Sequence, residues 1–321
     1  KCDVLETKGN YILSCSTSLL DENKIFHSGA GRISRLKMNT MSLFESNDSS
    51  GDISIMDMYE GREIVKTVRK ISLEDLANLI IRGGWPANIN VAKDKCGLMP
   101  KYYINSILEK DIYESKNVDS VKMQKLLKSL ARNESTVVSN NKLIKDISDN
   151  DDLNIDKRTV SDYIEILEKL NLFSNQLSYS TNYRSPERVG KNVKRHFTDP
   201  SLAAALLNMN ANKLIADLKT FGFLFEALVE RDLKIYMDYL DGNLYHFRDN
   251  VTGLEVDSIL EFSDGEYAAV EIKLGFNQFK EACESLLKFQ DNVTKKPKFM
   301  CVITGNTKDA NIISSCGRKR K

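Results

Sequence analysis

Histidine is scarce in this 321-residue sequence, with three copies, and no Cys-x-x-Cys pair occurs among Cys2, Cys15, Cys96, Cys283, Cys301 and Cys316. Those shortages argue against a zinc centre, and scattered cysteines fit a reducing cytoplasm. No run approaches the ~20 apolar residues of a membrane span, and no signal-peptide pattern opens the chain. The expectation is a cytoplasmic protein without a membrane partner. An excess of one charge is missing too. The 46 Lys and Arg against 45 Asp and Glu leave a net charge of +1, so no global field gathers nucleic acid and any such contact has to be local. What is present, 41% apolar and 28% charged residues, is the composition of a soluble globular protein, long enough for two or three domains with proper cores. The single tryptophan, Trp85, reads as a packing residue.

The most informative stretch lies near the C-terminus. Gly253-Leu-Glu-Val-Asp-Ser-Ile-Leu-Glu-Phe262 and Tyr267-Ala-Ala-Val-Glu-Ile-Lys-Leu274 flank Ser263-Asp264-Gly265 and read as a hairpin. A three-residue turn with Gly265 at positive φ pairs Leu254, Val256 and Leu260 with Leu274, Ile272 and Ala268, giving one clean apolar face; a one-residue slip ruins it. The same register sets Asp257 across from Glu271 and Glu255 across from Lys273. Facing carboxylates about 5 Å apart at Cβ repel, so the pair calls for a cation, and hard oxygen ligands suit Mg²⁺. Neutralising Asp257 is then expected to relieve repulsion and raise stability slightly. The plain alternative is a solvated charged face. Glu226, inside the otherwise apolar Phe221-Gly-Phe-Leu-Phe-Glu-Ala-Leu-Val229, adds a third carboxylate that wants a partner, unless it faces outward on its helix.

Glu226 on a helix, Asp257 on a strand and Glu271-x-Lys273 on the next strand resemble the active-site pattern of the restriction-endonuclease-like (PD-(D/E)XK) superfamily. That resemblance implies that Asp257 and Glu271 hold Mg²⁺, that Lys273 orients or activates the attacking water, and that Glu226 assists. Further motifs are Phe26-His-Ser-Gly-Ala-Gly-Arg-Ile33, Leu36-Lys-Met-Asn-Thr-Met-Ser-Leu-Phe-Glu45, Arg82-Gly-Gly-Trp-Pro86 and Arg195-His-Phe-Thr-Asp-Pro200. With Phe221 to Glu226 they resemble a family of bacterial and archaeal ATP-binding proteins. Its members join an AAA-type ATPase domain, a winged-helix segment and a restriction-endonuclease-like C-terminal domain. The resemblance covers nearly the whole chain. Two departures stand out. The phosphate loop and an acidic Walker B strand are absent, so ATP is a ligand only where that missing segment is present. Asn10 to Thr17 resembles the sensor strand, and Arg32 matches an arginine that senses the γ-phosphate. At the other end, Phe299 to Thr304 reads as a buried strand, but the family pattern is not continued from Asp309, and Gly317-Arg-Lys-Arg-Lys321 is a basic tail.

The fold expected is α/β, in four parts: residues 1–60 as the C-terminal remnant of an AAA-type ATPase domain (strand, loop, strand, then a break at Asn47 to Asp52), 61–118 as its helical lid, 119–182 as a winged helix-turn-helix, and 183–321 as the nuclease-like domain. Ser72 reads as an N-cap. Helices are expected over Val121–Asn133, Asn140–Ser148 and Asp156–Leu170, with Asp156 capping the last, then a strand edge over Leu172–Ser180. The last helix is basic only in its first turn (Lys157, Arg158), where helix-turn-helix modules touch bases; a packing module is the other reading. Between Tyr183 and Arg195, five basic residues stand against one acidic one. Arg184, Arg188, Lys191, Lys194 and Arg195 are therefore candidate phosphate contacts, with a solvated linker as the alternative. The function expected is DNA binding with Mg²⁺-dependent phosphodiester cleavage; the rival is a non-enzymatic nucleic-acid or protein docking module coupled to an ATPase.

Overall fold

A computed structural model describes residues 12, 36–62, 71–109, 118–148, 155–185, 188, 193–249 and 251–306. Arg32, Lys191, the basic tail and, apart from Ile12, the sensor-like stretch lie outside the described residues. The chain is mixed α/β, with two small sheets among helices. Helix α1 (Ile55–Glu60) precedes α2 (Leu73–Arg82), α3 (Leu98–Ile107), α4 (Ser120–Arg132), strand β1 (Thr136–Val137), α5 (Asn140–Ser148), α6 (Lys157–Lys169), β2 (Phe173–Gln176) and β3 (Lys194–Phe197). Then come α7 (Pro200–Leu206), α8 (Ala211–Ala216), α9 (Leu218–Tyr239), β4 (Asn243–Arg248), β5 (Glu255–Glu261), β6 (Tyr267–Gly275), α10 (Phe279–Asn292) and β7 (Met300–Asn306). No described helix is long and apolar enough to cross a membrane.

Local chemistry sets these boundaries. Ser72, Asp119, Asp156 and Asp217 each accept from the first amides of α2, α4, α6 and α9, satisfying donors that a helix start leaves open. The expected helices at 121–133, 140–148 and 156–170 are thus found within a residue or two. The strand expected before Asn47 is not found among the described residues from 36 onward. That stretch is irregular because side chains and single main-chain bonds elsewhere satisfy it: Met41 N–H donates to Gly84 O (2.7 Å), and Leu43 N–H donates to Asp232 Oδ2 (2.9 Å).

Three of the motifs behind the family resemblance meet here. Asp199 is fully buried. Its carboxylate accepts from Thr40 Oγ1 (2.9 Å), Gly84 N–H (2.9 Å), Ser201 N–H (2.9 Å), Ser201 Oγ (2.6 Å) and Arg231 Nη1 (3.0 Å). Trp85 is held the same way, its indole N–H donating to Ser201 Oγ (2.9 Å). Gly84 has no room for a side chain: an added Cβ would sit 2.1 Å from Met41 O.

The larger sheet has the order β4-β5-β6-β7. Strands β4, β5 and β6 are antiparallel, and β7 is parallel to β6, joined through α10. Apolar residues from α9 (Phe221, Leu224, Leu228) pack with Leu260, Ala268, Val270 and Ile272 on one face. Leu286 and Phe289 of α10 pack with Val256, Ile259, Tyr267 and Ala269 on the other. The β7 strand is half-buried rather than fully buried as expected.

The smaller sheet, β1-β3-β2, is antiparallel throughout. Strand β3 is central in this sheet and sends side chains toward α9. Period-two alternation divides its side chains. Arg195 turns to Asn175, Asn140 and Val138, whereas Lys194 and His196 turn to Glu230 of α9.

Candidate active site

The β5–β6 register is the one the hairpin chemistry implies. Leu260 pairs with Ala268, Ser258 with Val270, and Gly265 takes φ +80° in the turn. One feature departs from the expected single apolar face. Tyr245 pairs with Ile259 but Phe247 pairs with Val256. Two residues on β5, Asp257 and Ser258, therefore oppose His246 alone, which is a β-bulge. The extra residue reverses the alternation, so Val256 packs with Ile259 on the α10 side instead of with Leu260.

The bulge aims Asp257 at the far end of β6. Its Oδ2 accepts from Ile272 N–H (2.8 Å) and from Lys273 Nζ (2.9 Å). Lys273 Nζ also reaches Glu271 Oε2 (2.7 Å). The cation between the two carboxylates is thus the chain's own ammonium. Ser285 of α10 closes the other side, its hydroxyl 3.3 Å from Glu271 Oε1. Asp257, Glu271 and Lys273 thus come together in space.

The two carboxylates differ sharply. Burial and the neighbouring Asp257 push Glu271 up to about 8. Asp257 is also penalised by burial, yet Lys194, Lys273 and the Ile272 amide outweigh that and hold it below the ordinary carboxylate range. Lys273 resists the lowering that burial would bring, because Asp257 and Glu271 hold its proton. The net arrangement is one ionised carboxylate, one ammonium, and one carboxyl that keeps a proton at neutral pH.

Glu226 lies within α9 rather than at its start, and one turn later Glu230 shares its face. Both contact Lys194 Nζ, Glu230 Oε1 at 2.8 Å. Lys194 Nζ also donates to Asp257 O (3.2 Å), and Ser258 Oγ donates to Glu230 Oε1 (2.9 Å). Burial raises Glu226 and Glu230; it would lower Lys194, but Glu226, Glu230 and Asp257 hold that proton firmly. Glu226 therefore reaches the site through Lys194. Behind it, His196 places Nδ1 3.1 Å from Glu134 Oε1, and Nε2 3.0 Å from both Gln176 Oε1 and Glu230 Oε2. Glu230 Oε2 accepts no hydrogen bond from that ring, and Gln176 Nε2 is likewise buried without a partner. Both line a cavity of about 140 Å³, room for waters that would serve them.

The expected stretch of exposed phosphate contacts is corrected at three positions. Lys194 and Arg195 are 5% and 9% exposed, because one is a counter-ion for α9 and the other ties β3 to α5 and β2. Arg188 donates to Ser180 O (2.6 Å) and forks onto Glu261 (2.8 and 3.3 Å), stacked on Tyr179 and Tyr183. Arg184 is exposed. Sequence reasoning missed Glu230, Ser258, Glu134 and His196. The signals were there: Glu226 and Glu230 are four apart on an apolar helix, and Lys194 and His196 are two apart on a strand.

Two regions of the chain match models of protein families. Residues 73–213 are similar to a domain of unknown function (DUF8612), and residues 221–316 to another domain of unknown function (DUF4143). The second match is compatible with an ATPase-associated protein. It contains Glu226, Glu230, Asp257, Glu271 and Lys273, whereas Lys194, His196 and Glu134 fall in the first. Comparison with curated proteins and with solved structures returns no match.

Proposed function

We propose that the site is a Mg²⁺-dependent phosphodiesterase centre acting on nucleic acid, within a protein of the ATP-binding type. The observation that carries this reading is the convergence of Asp257, Glu271 and Lys273 on one point beside a bulge. The bulge breaks the alternation of β5 and brings the Asp257 carboxylate to the Ile272 amide and Lys273. A sheet flanked by α9 and α10 supports a restriction-endonuclease-like domain. The run α4, α5, α6 followed by β2 supports a winged-helix segment.

The donor set fits a hard cation. Among the described residues no cluster of three or more His, Cys, Asp and Glu forms a metal site, and Mg²⁺ is commonly held by only one or two carboxylates, keeping several waters. Asp257 is already ionised, and Glu271 is a buried carboxyl whose charge is unfavourable without a cation. Those two would hold the ion. When bound, it would neutralise phosphate charge and make water more acidic. The chain's own contribution is positional. Asp257 is fixed by the Ile272 amide. Lys273, once released from bridging two carboxylates, is placed to orient the attacking water or to meet charge developing on the phosphate. Glu226, neutralised by Lys194, sets the field beside Asp257.

The test is Mn²⁺ calorimetry together with cleavage of single- and double-stranded DNA by the wild-type chain. Binding and cutting, both lost in Asp257→Asn, support the reading. A wild type that neither binds Mn²⁺ nor cuts refutes it and favours the docking module, for which the closed Lys273 bridge is a self-satisfied surface.

A further inference from the structure

We infer that Lys194 is a positioning residue that fixes the bulge carrying Asp257 and so completes the site from outside the region that holds it. The inference deepens the proposed reading and rests on it for what the site does, but its structural core is independent. A bulge leaves main-chain groups without ladder partners. Here two buried side chains take hold of both bulge residues. Lys194 Nζ donates to Asp257 O (3.2 Å), and Glu230 Oε1 accepts from Ser258 Oγ (2.9 Å). The two grips are joined, because Lys194 Nζ and the same Glu230 oxygen lie 2.8 Å apart. Lys194 is 5% exposed and Glu230 3%, so neither has water as a ready substitute. With its anchor so fixed, the Asp257 carboxylate can accept from Ile272 N–H at 2.8 Å.

Lys194 comes from β3, inside the match at residues 73–213, while Glu226, Glu230 and Asp257 lie inside the match at residues 221–316. The same strand adds His196, 3.0 Å from Glu230. Without this strand, Glu226 and Glu230 would be buried carboxylates lacking their shared cation, which is costly, and the Asp257 carbonyl would lose its donor. The second region thus borrows its site geometry from the first, and the two operate as one unit.

The experiment separates positioning from charge balance. Lys194→Met keeps most of the side-chain volume but removes the ammonium. Lys194→Met combined with Glu226→Gln removes one charge of each sign, so the cluster's net charge equals that of the wild type while the Glu230–Ser258 contact is left in place. In the full chain, the single variant is expected to melt earlier and the double variant to recover. The double variant should still show Ile272 amide exchange faster by about tenfold or more, the size expected for a lost hydrogen bond to a charged donor. Ala268, paired with Leu260, should exchange as in the wild type. Mn²⁺ affinity should fall by a similar factor. Wild-type exchange at Ile272 in the double variant would overturn the inference, leaving Lys194 a mere counter-ion. If the wild type binds no Mn²⁺, the nuclease reading fails, while Ile272 exchange still decides whether Lys194 holds the bulge.

Discussion

Glu271 and Asp257 look equivalent across the hairpin, but neutralising them should have opposite consequences. Glu271 releases its proton at about 8 in the folded chain, against an ordinary value of 4.5. Between those limits the folded state holds a proton that the unfolded chain has lost. Stability is therefore fully present below about pH 4.5, falls as pH rises toward 8, and levels off above it. Each tenfold in proton affinity is about 1.4 kcal/mol, so ionising this carboxyl costs on the order of 4–5 kcal/mol. The Glu271 side chain is 4% exposed, so solvent screening discounts little of this. Glu271→Gln removes the ionisation but keeps the shape. Urea unfolding at pH 5 to 9 should show wild-type stability declining by a few kcal/mol and the variant declining much less, so that the variant is the more stable protein at pH 9. Asp257→Asn is the contrast. Asp257 is held below the ordinary range by Lys194 and Lys273, so its charge stabilises the fold. The variant should lose about 2 kcal/mol, against the small gain that cross-strand repulsion alone suggests. Parallel pH profiles for wild type and Glu271→Gln would refute the assignment of the displaced proton to Glu271.

Four further outcomes follow from the same geometry. Mn²⁺ affinity should climb by up to about tenfold per pH unit below pH 8 and then flatten, because a bound cation displaces the Glu271 proton; calorimetry across that range checks it. Lys273→Met should spare metal affinity, or raise it by removing the competing ammonium, while cleavage falls by about a hundredfold or more. Gly84→Ala should destabilise the chain by about 2 kcal/mol or more, since its Cβ would meet the Met41 carbonyl, a backbone atom that cannot swing away; thermal melting reads this directly. Charge reversal at Lys194 or Arg195 should cost folding itself, seen in circular dichroism, whereas Arg184→Glu should leave the fold intact and, if Arg184 touches a phosphate, reduce the salt dependence of DNA binding by about one counter-ion.

The sequence was most legible where a period or a cap decides the outcome. Ser72 and Asp156 announced their helices, and the apolar pairing of Leu260 with Ala268 set the hairpin register, with Gly265 at positive φ in its turn. It was least legible where one residue has two uses. Lys194, Arg195 and His196 read as a basic patch because charge is visible along a chain but burial is not. Only the strand's alternation, combined with carboxylates at Glu226 and Glu230 on a helix that follows much later, turns that patch into an ion cluster. The β5 bulge was illegible for a related reason: it depends on β4, and nothing within Val256-Asp-Ser-Ile259 marks it. Hence the apolar face expected of β5 was right at Leu260 and wrong at Val256. The inequality of Asp257 and Glu271 follows in turn, since the bulge brings Asp257 to Lys194 while Glu271 faces Ser285.

The bulge also makes chain length, and not only residue type, a condition of the chemistry. Removing a single residue between Val256 and Ile259 would restore an uninterrupted ladder with β4 and could even improve its pairing. It would also swing whichever residue follows Val256 to the opposite side of the sheet, away from Lys273. A deletion here is thus a change that the fold could absorb and the site could not. Relatives that differ by one residue in this strand would share the architecture without bringing a carboxylate to Lys273, and such a gap could be read in their sequences alone, without a single altered carboxylate.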